Sequence, residues 1–288
     1  MKNIMNLGLT LLAIVSISCV SCTKNNDSLI NNASSIDPGN DPNFTIIANT
    51  DAGMKKYNRK VIVFGVDIYA AKNVEDAKLL YAANIMAQYL DNNEDGVVDN
   101  ELVVDKMIEN KAFLFMWKNQ STDFLDAQPS GRMGQDLGND ETHPSFVPNG
   151  RIGTFDAGLE EVWHIITNAG YAQAYPTIFG TIEGTSMSNA MDIARGGKFT
   201  TIPNPYPSNT WYTYNDQTCN YDCQGGEYIY WTMSSILGAQ ENRLNEISNE
   251  WKLNTKTKVQ TTDIEAYGLL TNPIYKFPTI LPDGTYMH

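Results

Sequence analysis

The sequence predicts an α+β fold. Stretches with strand character and stretches with helical spacing follow one another without regular alternation, which is typical of that class. The chain has 288 residues, of which 42% are hydrophobic and 10% aromatic, enough to bury the core of one large domain. We find no internal repeat and no second polar linker after residue 52. We therefore expect a single α+β domain over residues 53–288.

The segment before this domain predicts export. Lys2 is followed by a moderately apolar stretch that is too short to span a membrane. It ends in "SISCVSC", which resembles the cleavage site of bacterial lipoproteins. This resemblance implies a signal peptide over 1–21 and a lipid on Cys22; Cys19 is the alternative lipid site, and an ordinary secretory signal is the alternative reading of the segment. Residues 22–52 are rich in Asn, Asp and Ser and are expected to form a flexible tether.

On this interpretation the protein lies in the bacterial cell envelope, anchored to the membrane by its lipid, in the periplasm or exposed at the surface. The chain has 33 acidic and 20 basic residues, a formal net charge of −13. A polyanion repels phosphate backbones, so a nucleic acid is not an expected partner. No phosphate-binding glycine loop follows a predicted strand, so a nucleotide is not expected either.

Hydrophobic patterning places the elements of the domain in order. The β-branched run 60–71 predicts a strand, and the apolar spacing of 74–90 predicts a helix. A shorter helix (101–111) and a buried strand (112–117) follow, and a polar segment (118–153) without periodic signals comes next. Further helices are expected from Asp156, a good N-cap residue, to Gly170, and over 184–195, 226–239, 240–252 and 262–271.

The loop between the first two predicted helices, "DNNEDGVVDNEL" (91–102), is rich in oxygen ligands. Its polar side chains alternate before Gly96, and it resembles the calcium loops of EF-hands and dockerins. Closely spaced hard oxygen ligands on a tight turn suit Ca²⁺. The twelfth position holds Leu102 instead of a bidentate glutamate, so Glu101 would have to bind from one position earlier. The ligands that the resemblance implies are Asp91, Asn93, Asp95, the carbonyl of Val97, Asp99 and Glu101. The alternative is a polar turn without an ion.

The helix expected after residue 156 contains "GLEEVWHII" (158–166). Glu160 and His164 are four residues apart, which places them one turn apart on one face, where both can reach a single ion. Glu-Glu-x-x-His resembles the His-Glu-x-x-His of zincin metallopeptidases, with Glu160 in place of the first histidine. The resemblance implies Glu160 and His164 as metal ligands and Glu161 as the base that activates water. Alternatively, the three side chains line a solvated helix face.

A zincin needs a third ligand, and in the glutamate type of this family it is a glutamate on a later helix. That pattern points to Glu227, with His143 as the alternative. Tyr230 would stabilise the oxyanion, and the other candidates for this role are Tyr212, Tyr214 and Tyr228. A glutamate in place of a histidine adds hard oxygen ligands, which shifts the metal preference from Zn²⁺ towards other divalent ions such as Mn²⁺ or Ca²⁺.

Cys219 and Cys223 are the two cysteines of the expected domain, and in an exported protein they predict a disulfide. Two functions remain open. One is a metal-dependent peptide hydrolase with an altered ligand set. The other is a catalytically inactive, calcium-stabilised surface module that binds a glycan or a protein through the aromatic-rich segment 204–221.

Overall fold

The computed structural model describes residues 41–125 and 128–288, so the predicted signal peptide and Cys22 lie outside the described residues. The strands are β1 (Ile47–Ala48), β2 (Tyr57–Val63), β3 (Val66–Ala71), β4 (Phe113–Trp117) and β5 (Gly134–Gly138). The α-helices are α1 (Asp76–Leu90), α2 (Glu101–Glu109), α3 (Gln120–Asp123), α4 (Gly158–Ile166), α5 (Ala172–Ala174), α6 (Pro176–Phe179), α7 (Ser186–Ala194), α8 (Tyr221–Ile236), α9 (Leu244–Ile247), α10 (Lys256–Thr262) and α11 (Ile264–Leu270). There are also a π-helical turn (Thr167–Tyr171) and two 3₁₀ turns (Asn139–Glu141 and Pro273–Tyr275).

The five strands form one mixed sheet in the order β1-β2-β3-β4-β5. The pairs β1–β2 and β2–β3 are antiparallel, whereas β3–β4 and β4–β5 are parallel. Parallel neighbours need a long connection, and α1 and α2 supply it between β3 and β4. The mixed sheet and the helices around it agree with the α+β class that the sequence predicts.

The apolar run 60–71 forms two strands instead of the single strand expected. Phe64 and Gly65 have positive φ values of 46° and 87° and form the tight turn between β2 and β3. A two-residue turn of this kind matches the twist of a hairpin and needs a residue, ideally glycine, that tolerates positive φ. The pattern does not reveal the turn because the flanking residues are apolar on both sides.

The folded part begins before residue 53. Residues 47–48 form β1 on the edge of the sheet, inside the stretch predicted as tether. The ring of Phe44 stacks on that of Tyr286 at 6.1 Å, and the side chain of Asn43 donates to the carbonyl of Tyr286. These contacts with the last residues of the chain hold a polar segment that lacks a hydrophobic pattern of its own.

Helix α4 packs between the sheet and α8, in contact with β4 and β5 on one side and with α8 on the other. Leu159, Val162 and Ile166 are completely buried. The polar strip of the helix is therefore directed towards α8, and His164 is only 6% exposed. This position excludes the solvated helix face as an explanation for that residue.

Gly170 does not end this helix as expected. The chain continues from α4 through the π-helical turn into α5. A Cβ on Gly170 would lie 2.7 Å from Cγ1 of Val103 in α2. The glycine thus allows α2 to approach the turn closely, which is another common reason for a glycine inside a helix.

Two later helices differ from the prediction, a third is confirmed, and one further helix was not expected. Helix α8 starts five residues earlier than expected, because the side chain of Asn220 accepts the N–H of Cys223 and caps it. The predicted helix 240–252 shrinks to α9, since Trp251 pairs with Tyr212 in an isolated β-bridge. The predicted helix 262–271 is α11, with α10 directly before it. Within the described ranges, no helix has the length and apolar character needed to cross a membrane.

Candidate metal centre

Helices α4 and α8 bring three potential ligands to one point. Nε2 of His164 lies 3.9 Å from Oε1 of Glu160 and 3.6 Å from Oε1 of Glu227. One ligand atom from each residue lies within 4.8 Å of the other two, and in the described part of the chain this is the one such group of His, Cys, Asp or Glu side chains. The three side chains could hold a metal ion.

The environment of the group favours a cation. The side chains of His164, Glu227 and Glu160 are 8%, 18% and 27% exposed, so the two carboxylates are only partly solvated. Burial lowers the pKa of His164, but the carboxylates of Glu227 and Glu160 outweigh it and raise that pKa to about 10. Burial raises the pKa of Glu227, although His164 beside it lowers it. Negative charge is thus concentrated where a proton or a metal ion can neutralise it.

Glu161 points into a cleft beside this group. The cleft has a volume of about 470 Å³, and both Glu161 and His164 contribute to its lining. Burial raises the pKa of Glu161 well above its ordinary value. A carboxylate whose pKa is raised is a stronger base than an ordinary carboxylate.

Each of the three glutamates has a polar side chain beside it. Nε2 of Gln135 in β5 donates to Oε2 of Glu161 at 2.6 Å. Tyr230 lies beside Glu160, and Tyr214 lies beside Glu227. A hydrogen bond such as the one from Gln135 restricts the rotamers of a carboxylate.

Tyr230, the tyrosine expected to stabilise the oxyanion, lies near the group. Its side chain is completely buried beside Glu160, and its hydroxyl accepts a hydrogen bond from Nε2 of Gln240 at 3.1 Å. It is not among the described residues that line the cleft. The hydroxyls of Tyr212 and Tyr228 are also engaged elsewhere, with the carbonyl of Gln224 and with Asp263.

His143 lies outside the group. Its backbone N–H donates to Oδ1 of Asp156 at 2.8 Å, next to the start of α4, and its ring is not one of the three converging ligands. Of the two candidates for the third ligand, the structure brings Glu227 to His164.

A short covalent link precedes the helix that carries Glu227. The Sγ atoms of Cys219 and Cys223 lie 1.95 Å apart, within bonding distance, as the sequence predicts. Cys223 is in the first turn of α8 and lines the cleft. The link therefore ties the start of the helix to the segment before it, one turn away from Glu227.

The aromatic-rich segment 204–221 does not form an exposed platform. Its five aromatic side chains are buried or half-buried. Tyr212 is completely buried, and Nε1 of Trp211 donates to Oδ2 of Asp263 at 2.7 Å. Tyr206 and Tyr214 are joined by hydrogen bonds between the hydroxyl of the first and the backbone of the second. Trp211, Tyr214 and Tyr221 pack against the core and stay partly exposed.

The loop between α1 and α2 has a different arrangement. Asp91 is completely buried; its Oδ2 accepts from the N–H of Gly96 at 2.8 Å and from the hydroxyl of Tyr286 at 2.6 Å. Oδ1 of Asp95 accepts the N–H of Val97, and Oδ2 of Asp99 accepts that of Asn92. Protein donors therefore occupy oxygens of the three aspartates.

The remaining positions of the loop follow the sequence expectation in part. Gly96 has φ +84° and makes the sharp turn, and Val98 packs against the core. The side chain of Asn93 donates to Asp95 at 3.0 Å. Glu101 is exposed and forms the first residue of α2.

Gln135 and Glu250 are the site residues that sequence reasoning missed. Gln135 lies in the polar segment 118–153, where nothing in the pattern indicates β5. Burial raises the pKa of Glu250, and the nearby carboxylate of Glu160 raises it further. Its backbone carbonyl accepts the N–H of Thr213, which leads into Tyr214. Both contacts join residues that are distant in sequence, so they can be identified only from the three-dimensional structure.

Comparison with models of protein families, with curated proteins and with solved structures finds no match to this chain. Functional inference therefore depends on the geometry around His164.

Proposed function

We propose that the protein is a divalent-metal-dependent peptide hydrolase. The observation that carries the proposal is the convergence of Glu160, His164 and Glu227 beside a cleft into which Glu161 points. Two carboxylates and one imidazole are a donor set that suits Zn²⁺ or Mn²⁺. A divalent ion held by these side chains supplies Lewis-acid chemistry, since it polarises a carbonyl group and makes water more acidic.

Glu161 is the general base of this proposal. Because Oε2 accepts the hydrogen bond from Gln135, Oε1 is left to take a proton from the attacking water. The same oxygen then returns the proton to the amine that leaves when the peptide bond breaks. Glu160 and Glu227 would hold the ion together with His164, and Tyr230 and Tyr214 lie beside the two carboxylates.

The edge of the sheet supports a peptide as the substrate. Strand β5 is the last strand, and Met133 and Gln135 at its start line the cleft. The amide of Gln128 exchanges two hydrogen bonds with the backbone of Gly134, at 2.7 and 3.0 Å. A peptide that displaced the Gln128 amide would bind the same two backbone groups of Gly134 and add a strand to this edge.

Hydrolysis by reconstituted protein tests the proposal. The metal-free protein is loaded with Zn²⁺, Mn²⁺ or Ca²⁺ and incubated with a library of unstructured peptides. We expect cleavage with at least one ion, retention of the ion in Glu161→Gln, and a loss of cleavage in that variant of roughly 10²–10⁴-fold, the usual worth of a general base. Absence of metal binding by the wild type, or undiminished cleavage by Glu161→Gln, would refute it.

We propose that the enzyme works outside the cytoplasm, anchored through Cys22. This part rests on the sequence of residues 1–22. Labelling with a fatty acid should mark the wild type and not Cys22→Ser; loss of label in Cys19→Ser instead would move the anchor to that residue.

We also propose that the loop 91–102 binds Ca²⁺ in a structural role. The support is a tight helix-loop-helix in which Asn93, Asp95 and Glu101 are not buried. The ligands would be those that the resemblance implies: Asp91, Asn93, Asp95, the carbonyl of Val97, Asp99 and Glu101. Calcium is plentiful outside cells, so the ion would stabilise the fold permanently.

A further inference from the structure

The cleft beside the metal centre continues beyond Glu227 towards the start of α8. Asn220 and Asp222 line this far end, and Thr181 lies across from them. The hydroxyl of Thr181 hydrogen-bonds to Oδ1 of Asp222. This contact holds the carboxylate of Asp222 at the wall of the cleft.

The lining of the cleft is rich in negative charge. Three carboxylates belong to it, from Glu161, Glu227 and Asp222, and no lysine or arginine is among the described residues that line it. The protein as a whole carries a net charge of −13. A cationic group is therefore attracted into this cleft and an anionic one is repelled.

The spacing fits a side chain next to the reacting bond. Asp222 precedes Glu227 by five residues in α8, which places it about 7.5 Å further along the helix axis and roughly 140° around it. Both side chains nevertheless line the same cleft. An extended lysine or arginine side chain spans most of that distance. A residue bound with its carbonyl at the metal centre can thus place its cationic head group against Asp222.

We propose that Asp222 makes the hydrolase select peptides that carry a lysine or arginine beside the bond to be cut. This inference rests on the proposed peptide hydrolysis and adds its substrate class. An acid in the first turn of a helix also complements the helix dipole. That role affects stability alone and predicts no discrimination among peptides.

Peptide binding separates the two roles without requiring catalysis. In the metal-loaded Glu161→Gln protein, fluorescence anisotropy compares a labelled lysine peptide with its norleucine counterpart. The neutral side chain has nearly the same length, so the difference reports the charge. Because Asp222 is exposed, we expect the lysine peptide to bind about two- to fivefold more tightly at low salt, and the difference to shrink as salt screens the pair.

Two further substitutions are made in the same background. Asp222→Asn should abolish the preference, and Asp222→Lys should reverse it in favour of a glutamate peptide. Asp216→Asn is the matched control, because the Asp216 carboxylate also accepts a threonine hydroxyl, that of Thr218, but lies outside the cleft lining. It should leave the preference unchanged.

The outcomes distinguish this inference from the function on which it rests. Equal binding of the lysine and norleucine peptides, or a preference that survives in Asp222→Asn, overturns the selectivity even if the wild type cuts peptides. A preference that depends on Asp222, together with no cleavage under any metal, supports the cationic subsite and refutes the hydrolase.

Discussion

The candidate metal centre and the loop 91–102 are both rich in acidic side chains, but these side chains differ in sequence separation and in their hydrogen-bond partners. The acids of the centre come from helices α4 and α8, which are far apart in sequence, and they converge with His164 on one point. The acids of the loop are close in sequence, and backbone N–H groups and Tyr286 already occupy oxygens of Asp91, Asp95 and Asp99.

The difference shows that the spacing of potential ligands along the sequence and the convergence of ligand atoms in space are separate pieces of evidence for a cation site. The loop has the spacing of a calcium site, whereas the centre has the geometry of three ligands around one position. Helix α2 leaves the loop and packs on the π-helical turn that extends α4. A shared packing contact therefore joins two regions whose chemistry differs.

The largest expected effect is the loss of metal affinity when Glu227 is removed. Glu227→Ala deletes a ligand from the group of three, so its cost should exceed the roughly 10–100-fold that loss of an outer partner causes. Isothermal titration with Zn²⁺ or Mn²⁺ measures it. Glu246→Ala, which removes an exposed glutamate paired with Arg243, is the control. Unchanged affinity in Glu227→Ala would place the ion elsewhere.

The second effect is a rise of metal affinity with pH. Burial lowers the pKa of His164, but Glu227 and Glu160 raise it to about 10, so the metal-free imidazole carries a proton at pH 7. A ligating imidazole must be neutral, and each ion bound therefore releases that proton. Burial raises the pKa of Glu227 to about 7, so this carboxyl also loses a proton on binding at lower pH. Affinity should therefore rise about tenfold per pH unit near pH 8 and more steeply below pH 7. Titrations in buffers of different ionisation enthalpy count the protons, and a pH-independent affinity would contradict the account.

The loop should respond to calcium more weakly. If Ca²⁺ saturates it about a hundredfold above its dissociation constant, binding adds about 2.7 kcal/mol, which corresponds to roughly 5–10 °C in melting temperature for a chain of this size. EGTA should lower the melting temperature of the wild type by that amount and have no effect on Asp95→Ala. Asp105→Asn, an exposed acid on α2, should retain the response. Melting that EGTA leaves unchanged would show that the protein donors alone hold the loop.

The smallest effect tests the packing that joins the two regions. A Cβ on Gly170 would lie 2.7 Å from Val103, so Gly170→Ala should destabilise the protein by about 1–3 kcal/mol. Gly268 lies inside α11, and a Cβ at that position would have no described atom within 4 Å. Gly268→Ala should therefore stabilise the protein by about 0.5–1 kcal/mol. Urea unfolding measures the free energy of unfolding of both variants. Equal effects would contradict the account, because they would mean that α2 can move away from the added Cβ at position 170 without loss of stability.

The sequence predicts what depends on neighbours along the chain. The i, i+4 spacing places Glu160 and His164 together, and the apolar residues around them indicate burial of the helix. Cys219 and Cys223 are likewise only four residues apart, so a single turn of the chain brings their Sγ atoms within bonding distance. Hydrophobic patterning predicts helices α1, α2 and α7 to within a few residues because their apolar faces are local.

What depends on distant contacts could not be predicted. Gln135 reaches Glu161 through β5, a strand in a polar segment without alternation. Tyr230 carries no local sign that it is completely buried and outside the lining of the cleft. Residues 41–48 also belong to the folded domain, although their composition is that of a linker. Phe44 stacks on Tyr286, which lies 242 residues later in the chain, and no local pattern predicts this contact.

Diffraction from crystals soaked with Zn²⁺, recorded on both sides of the zinc absorption edge, tests the central claim most directly. The account predicts one anomalous peak within about 2.0–2.2 Å of ligand atoms of Glu160, His164 and Glu227, with Glu161 next to the ion but not bound to it. No peak at this position, or a zinc ion bound by other residues while these three keep their hydrogen bonds, would contradict it.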